Sequence, residues 1–574
     1  MKKLRFILAF PLIGDGRTRS DLARVQEPED VLDLVPKFWV ADDAPLQKLG
    51  AVGVVIGHLF ANQSGQTIVD FGKGGTQCSQ TPFHHLVAHF WGAYFAIHYD
   101  AAHSMWAVMA DPSGLLPVYR QQTRQHAVFT SDPALFRLRG MPRPAVEWPR
   151  LADFLARPEL RERRTCLAGI EEVRPGAMIE LGGPDRSETP VWLPDAFLPG
   201  NKPVAFEGAV GELRDRTSHV INAWARKLPK TVVAVSGGVD SSLICAALAV
   251  NDHHFGCVTM ATADRSGDER VYAQQLAAHL GVPLEEHVYD VFAFDPLLSA
   301  SAGQARPHRR LFSTAFDAML TEAAYALDKT TIFDGNGGDN LFCFLHSAAP
   351  IIDRWRSGAG LRATIDTMID MCGVTGCDIP TMVRASLRRL NKQVDTRWPT
   401  DTSLLLGRWC STGICEPLTP WLTGDFGRQP GKRDHLALIM RAQNHIHGFG
   451  PGPPRISPLM SQPLVELCLG VPTWLWPRGG RNRALARMAF AQDLPPAILA
   501  RTSKAGPDSF VRGIFRQHRS AFRELLLDGE LATNQILDRE AVERAMDVDT
   551  SHPGSTIYRM LDLVEAENWV RSWS

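Results

Sequence analysis

Between residue 1 and about residue 190 the chain alternates apolar and polar positions in short runs. These are "AVGVVIGHLF", "HFWGAYFAIHYD", "MWAVMADPSGLLPVYR", "HAVFTSD" and "GAMIEL", each bounded by Gly, Asp or Pro. A two-residue period broken by turn formers marks half-buried strands, so this part is predicted to be mostly β. The opening "MKKLRFILAFPLIGDG" places two lysines before an apolar run, as a signal peptide does, but Arg5 interrupts the run and no small-residue cleavage site follows. It reads as a buried first strand of a cytoplasmic protein. Proline and glycine cluster in "WLPDAFLPGNKPVAFEGAV", which sets a boundary near residue 200 and divides the chain into 1–200 and 201–574.

Past the boundary, "VGELRDRTSHVINAWARKL" has helical spacing and the rhythm becomes strand then helix. "TVVAVS" precedes a helix from Asp240 to Val250, "FGCVTMA" precedes "DERVYAQQLAAHLG", "EEHVYD" precedes helical text at 312–327, and "TTIFDG" follows. Such alternation predicts a parallel sheet covered by helices on both faces, an α/β architecture. From about 350 to 570 the pattern is chiefly helical.

The chemistry concentrates at two strand ends. In "TVVAVSGGVDSSLICAALAV" a strand meets a helix through Ser236, Gly237, Gly238, Val239, Asp240, Ser241 and Ser242. Glycines without Cβ atoms, three hydroxyls and a helix N-terminus together suit a polyphosphate. The Walker lysine is missing. A carboxylate beside a polyphosphate requires a divalent cation between them, so Asp240 predicts magnesium. Helix capping by Asp240 is the plainer reading, but it explains neither the glycine pair nor the three serines. The later "TTIFDGNGGDNLFCFLHSAAP" repeats the logic, with Gly335, Asn336, Gly337 and Gly338 allowing close backbone approach and Asp339 as a second carboxylate for the metal.

Bulk properties narrow the rest. Lys plus Arg number 61 against 62 Asp plus Glu, a formal charge of −1, so no global basic field points to nucleic acid or an anionic membrane. No stretch holds 18 apolar residues, so no membrane span is expected. Ten cysteines are too sparse for a disulfide scaffold. Cys372 with Cys377 and Cys410 with Cys415 repeat a C-x4-C spacing without histidines to complete a metal set, and they read as structural thiols. His308, Asn444, His445 and His447 read as solvent-facing or hydrogen-bonded groups. Arg306, Arg309 and Arg310 read as a wet basic face with the alternative of receiving an acidic peptide.

The S-G-G-x-D-S loop resembles the PP-loop of ATP pyrophosphatases, and its pairing with the second glycine loop resembles the asparagine synthetase and β-lactam synthetase family. "GDERVYAQQLAAHLG" and "RISPLMSQPLVELCLGVPTWLW" are similar to segments of that family, and "GAYFAIHYD" with "MADPSGLLPVYR" resembles its N-terminal glutamine amidotransferase-type (Ntn-type) domain. The resemblance implies ATP and Mg2+ as cofactors, Asp240 and Asp339 as metal ligands, Lys504 of "RTSKAG" as the catalytic lysine with Arg501 assisting, and adenine beside Val258, Thr259 and Met260. Glutamine-hydrolysing members use an N-terminal cysteine. Here residues 2 and 3 are lysines and the first cysteine is Cys78, so the β-rich sandwich is expected to be degenerate, structural or substrate-binding.

"GNGGDNLFCFL", "CLGVPTWLW", "RGGRNRALAR" and "RTSKAGPDSF" most resemble lasso peptide macrolactam synthetases. That implies an AMP-forming ligase that adenylates an Asp or Glu side chain of a core peptide for attack by its N-terminal α-amine. The implied partners are the precursor peptide, a leader peptidase and a leader-binding protein. An α-amine has a pKa of about 7.7–8.0, so roughly a tenth is neutral at pH 7 and a strong general base is not demanded. The competing readings are a β-lactam synthetase or ammonia-dependent asparagine synthetase, a tRNA-modifying enzyme, which would want a basic face and reactive cysteines, and a non-catalytic scaffold for the peptide.

Overall fold

The computed structural model describes residues 4–11, 38–41, 45–48, 53–62, 82–100, 103, 105–123, 126–137, 144–157, 159–181, 188–199, 204–264, 267–308, 310–391, 398–410, 420–422, 426, 429–447, 452–502, 506–547 and 555–574. Two antiparallel sheets build the first part of the chain. One has the order Phe38–Ala41, Arg5–Pro11, His126–Thr130, Tyr119–Gln122, Ile170–Glu172, and the other Glu188–Pro190, Ala177–Leu181, Met105–Ala110, Phe90–Asp100, Gly53–Ala61, Leu46–Lys48. The opening apolar run is a strand buried on both faces. Phe6, Leu8 and Phe10 enter the core shared with the second sheet, where the Phe6 and Phe95 rings stack at 5.3 Å between centroids. Ile7 and Ala9 face a second core that holds Leu151, Phe510 and Trp569. That explains why the run is continuous rather than alternating.

The predicted parallel sheet is present, in the order Leu284–Val288, Phe255–Ala261, Thr231–Ala234, Thr331–Phe333, Arg455–Ile456. Its last strand has two residues, too few for any periodicity to announce it. Helix Phe206–Lys227 stands between the antiparallel and parallel sheets in sequence and joins them in space. Its Trp224 packs edge-on against Phe60 and Trp91 of the second antiparallel sheet, and the indole N–H donates to Ser461 Oγ at 3.0 Å. One apolar core therefore runs through both parts. The later helices Asp508–Asp528 and Ser555–Trp573 return to the outer face of the first sheet. Among the described residues no helix is long and apolar enough to cross a membrane.

Candidate functional site

Strand Thr231–Ala234 is central in the parallel sheet, and the loop after it opens onto a cavity of about 240 Å³ beyond the carboxyl ends of the strands. Helix Val239–Val250 begins there with Gly238 as its N-cap residue. The loop is knit by its own hydroxyls: Ser241 Oγ accepts from the Ser236 N–H at 3.4 Å, and Ser242 Oγ donates to the Gly238 carbonyl at 2.7 Å. Gly237 has φ +62°, and a Cβ there would lie 2.3 Å from Tyr272 Cβ, so only glycine makes this turn. Asp240 lies in the first turn of the helix and no side chain caps its N-terminus. Capping does not account for Asp240.

The second loop, after strand Thr331–Phe333, is pressed against the first. A Cβ on Gly335 would come within 2.8 Å of the Ser241 nitrogen, and one on Gly338 within 2.5 Å of Asp240 Cγ. These glycines let two loops share one site. Asp334 anchors the turn: its carboxylate accepts from Ser457 Oγ at 2.6 Å, from the Asn336 N–H at 3.1 Å and from Asn336 Nδ2 at 2.9 Å. Burial pushes its pKa above the usual carboxylate range, against the pull of Arg455.

Asp240 and Asp339 converge on a single cation. The Arg483 Nη1 group donates to Asp240 Oδ2 at 2.9 Å and also to Asp339 Oδ1, with the Arg483 side chain only 9% exposed. The neighbouring Arg487 lines the cavity, and its guanidinium donates to the carbonyls of Asn482, Leu499 and Arg501. Burial, with Arg483 close by, lowers its pKa to about 10. Arg501 donates to the Ser236 carbonyl at 2.8 Å, pairs with Glu269 and stacks over Tyr272 at 4.2 Å, which ties the first loop to the segment carrying "RTSKAG".

Of the residues singled out in sequence, Ser236, Gly238, Val239, Asp240, Ser241, Val258, Met260, Gly335 and Asn336 line the cavity. Gly237, Ser242, Gly337, Gly338 and Asp339 lie behind that lining as loop and clamp residues. Thr259 alternates away on its strand and is buried, so it is not brought to the cavity with Val258 and Met260. Lys504, Arg309, Cys78 and Cys415 lie outside the described residues. Arg306 is not part of a wet face: it is buried in an ion pair with Glu172. Arg483, Arg487 and Glu269 were missed as individuals. Arginine density in "RGGRNRALAR" was the available signal, but nothing in the spacing says which guanidinium turns inward.

Magnesium passes a test of fit here. Two carboxylates delivered from separate strand ends meet at one cationic group beside the cavity, the Arg483 guanidinium standing between them where a divalent cation would, and Gly335 and Gly338 let the two loops approach closely.

Residues 212–410 and 455–571, more than half of the chain, match the family model for asparagine synthase. The chain belongs to the asparagine synthase family. That membership supports ATP-dependent amide-bond formation in general. No curated protein matches this asparagine synthase family chain. Among solved structures, the glutamine phosphoribosylpyrophosphate amidotransferase from B. subtilis, complexed with ADP and GMP, is similar over 42% of this chain and 48% of that one, at 12% identity and a TM-score of 0.16. The allosteric regulatory enzyme of purine biosynthesis is similar over 43% and 62%, at 11% identity and a TM-score of 0.17. The chain thus spans about half to three-fifths of those proteins, and TM-scores this low carry no argument.

Proposed function

We propose that this member of the asparagine synthase family is an AMP-forming macrolactam synthetase of lasso peptide biosynthesis, built from a degenerate Ntn-type sandwich and a PP-loop synthetase domain. The observation that carries the reading is the meeting of Asp240 and Asp339 on one cation at the strand ends. Bound there, Mg2+ would supply charge neutralisation for the triphosphate. The loop Ser236–Ser242 offers N–H and hydroxyl donors to the pyrophosphate portion, Val258 and Met260 offer an apolar wall to adenine, and Arg487 stands at the same cavity as a fixed positive group. Lys504 is the proposed catalytic cation, where loss of such a donor costs about 10²–10³ in rate.

A peptide side-chain carboxylate attacks the α phosphorus and pyrophosphate departs. The α-amine then attacks the acyl carbon and AMP departs. Adenylation is needed because a free carboxylate has no adequate leaving group. The macrolactam specificity is supported by the segments "GNGGDNLFCFL", "CLGVPTWLW", "RGGRNRALAR" and "RTSKAGPDSF". The substrate would be the core of a precursor peptide, met in the cytoplasm with a leader peptidase and a leader-binding protein as partners.

Mass spectrometry tests this directly. A peptide encoded beside this protein should lose one water in a reaction that requires ATP and releases AMP. ATP–pyrophosphate exchange that depends on free aspartate and ignores peptide would instead favour a small-molecule amide synthetase.

A further inference from the structure

A second cavity, of about 50 Å³, lies where the strand-rich part meets the parallel-sheet part. Tyr119, Glu159 and Arg161 line it from one side, and Arg306, His308 and His445 from the other. His445 is the centre of a half-buried chain. Its Nδ1 lies 3.3 Å from His308 Nε2, and its Nε2 lies 3.3 Å from Glu159 Oε1. The Asn336 side chain, which lines the nucleotide cavity, donates to the His445 carbonyl at 3.1 Å, so the two cavities are one residue apart. On the other flank Asn444 Nδ2 donates to the Glu159 carbonyl at 2.8 Å. Glu159 itself holds φ +64°, a left-handed backbone that a glutamate adopts only under constraint and that aims it into the cavity mouth.

The other charged groups here are committed elsewhere. Arg161 and Arg306 both pair with Glu172, and His447 donates from Nε2 to the Gly114 carbonyl at 2.8 Å. Burial holds His308 well below the usual histidine range, aided by the neighbouring His445 and then by Arg310 and Arg455, and burial lowers His447 to about 3. Both therefore stay neutral at physiological pH. Arg441 approaches the far oxygen of Glu159 at 3.9 Å. That leaves His445 beside a carboxylate as the pair suited to exchange a proton.

We infer that this cavity is the subsite for the attacking amine, a primary α-amine at a peptide N-terminus, and that His445, held by Glu159, receives its proton. This rests on the ligase reading above and gives the strand-rich part a role in the reaction. The amine lone pair forms the C–N bond, the acyl carbon–oxygen bond to AMP breaks with its electrons leaving on the phosphate oxygen, and the ammonium proton passes to Nδ1 of the His445 imidazole, the amine taking the place of the contact with His308 Nε2 while Nε2–H stays on Glu159. Glu159 stabilises the imidazolium. Sequence alone left the amine to its own neutral fraction, about a tenth at pH 7. A base at this position removes that restriction.

Glycinamide, an α-amine with a blocked carboxyl, is the probe. The full-length protein carrying carbon-13 at histidine Cε1 is titrated with glycinamide and separately with acetamide, and the His445 resonance is assigned through His445→Gln. Glycinamide should shift the His445 and His308 signals saturably, acetamide should not, and Glu159→Gln should weaken the titration about tenfold or more. No saturable shift, an equal shift with acetamide, or unaltered binding in Glu159→Gln overturns the subsite. With a peptide that is cyclised, His445→Gln should lower the ratio of amide product to AMP about 10²-fold and abolish the rise of that ratio between pH 6 and 8. A protein that binds glycinamide here yet never makes AMP refutes the ligase reading and keeps the subsite. AMP formation without glycinamide binding does the reverse.

Discussion

Gly338→Ala adds one methyl group to the molecule and should disable the site. Gly338 opens the short helix Gly338–Leu341, where alanine is conformationally preferred over glycine, so the backbone itself gains from the change. The cost is purely steric. The new Cβ would sit 2.5 Å from both Cβ and Cγ of Asp240 and 2.9 Å from its Oδ1. Carbon atoms rest at about 3.5–4.0 Å, so the two loops must separate by roughly 1 Å. Neither can yield freely. Asp240 is 8% exposed on a helix whose first ten residues are all buried, and the second loop is tied down through Asp334 and Ser457. Overpacking of this kind costs about 1–3 kcal/mol. Relieved by parting Asp240 from Asp339, that strain appears as a weakening of Mg-ATP binding by roughly tenfold to a hundredfold.

The control is chemically identical. Gly208 lies in helix Phe206–Lys227, and a Cβ there would meet nothing within 4 Å. Gly208→Ala should raise stability by about 0.5–1 kcal/mol and leave nucleotide binding alone. Isothermal titration of Mg-ATP into both variants, with urea melts in parallel, measures each term. Gly338→Ala binding Mg-ATP within twofold of the parent, or Gly208→Ala weakening it as much, would refute the claim that the two loops form one clamp.

Arg483→Met leaves the buried carboxylate of Asp240 facing the half-buried one of Asp339 and should destabilise the protein by up to about 3 kcal/mol in chelator, with millimolar MgCl2 restoring much of it; urea melts with and without the ion decide. Asp240→Asn and Asp339→Asn should each abolish the Mg2+ dependence of ATP binding by calorimetry, and retention of that dependence by either would remove it from the metal's ligands. His58 is buried edge-on against Trp224, and its pKa falls to about 4 through burial. Below the unfolded pKa of about 6.5 the unfolded chain binds the proton that the folded chain refuses, so stability is full above pH 6.5, is lost progressively as pH falls from 6.5 towards 4, and falls no further from this group below 4. His58→Phe should therefore remove about 2 kcal/mol of the parent's loss of stability between pH 7.5 and 5, read from urea melts at the two pH values.

Legibility followed the range of the signal. Local rules exposed the strands from "TVVAVS" to "TTIFDG", because a strand's period and its flanking turn residues are written within ten positions. The glycines of both loops were legible as close-approach residues, although the neighbour each one admits was not: Gly338 makes room for Asp240, about a hundred residues earlier. Arg483 was illegible for the same reason. Its segment is rich in arginine, and only tertiary packing selects which guanidinium is drawn between two carboxylates. Thr259 failed because strand alternation turns it away from the cavity that Val258 and Met260 line. Helix Pro82–His89 was not picked out within a part read as mostly β.

The strand-rich part is not an appendage. Its second sheet supplies Phe60 and Trp91 as the walls around Trp224, and Trp224 holds Ser461 in the segment that carries the fifth parallel strand and Ser457. Ser457 in turn donates to Asp334, the carboxylate that shapes the loop bearing Asp339. A continuous path of packed side chains and hydrogen bonds thus runs from the second antiparallel sheet to the loop that brings Asp339 to Asp240. The strand-rich part is mechanically required, since a parallel sheet whose first covering helix buries Trp224 against foreign strands would expose that surface to water without them.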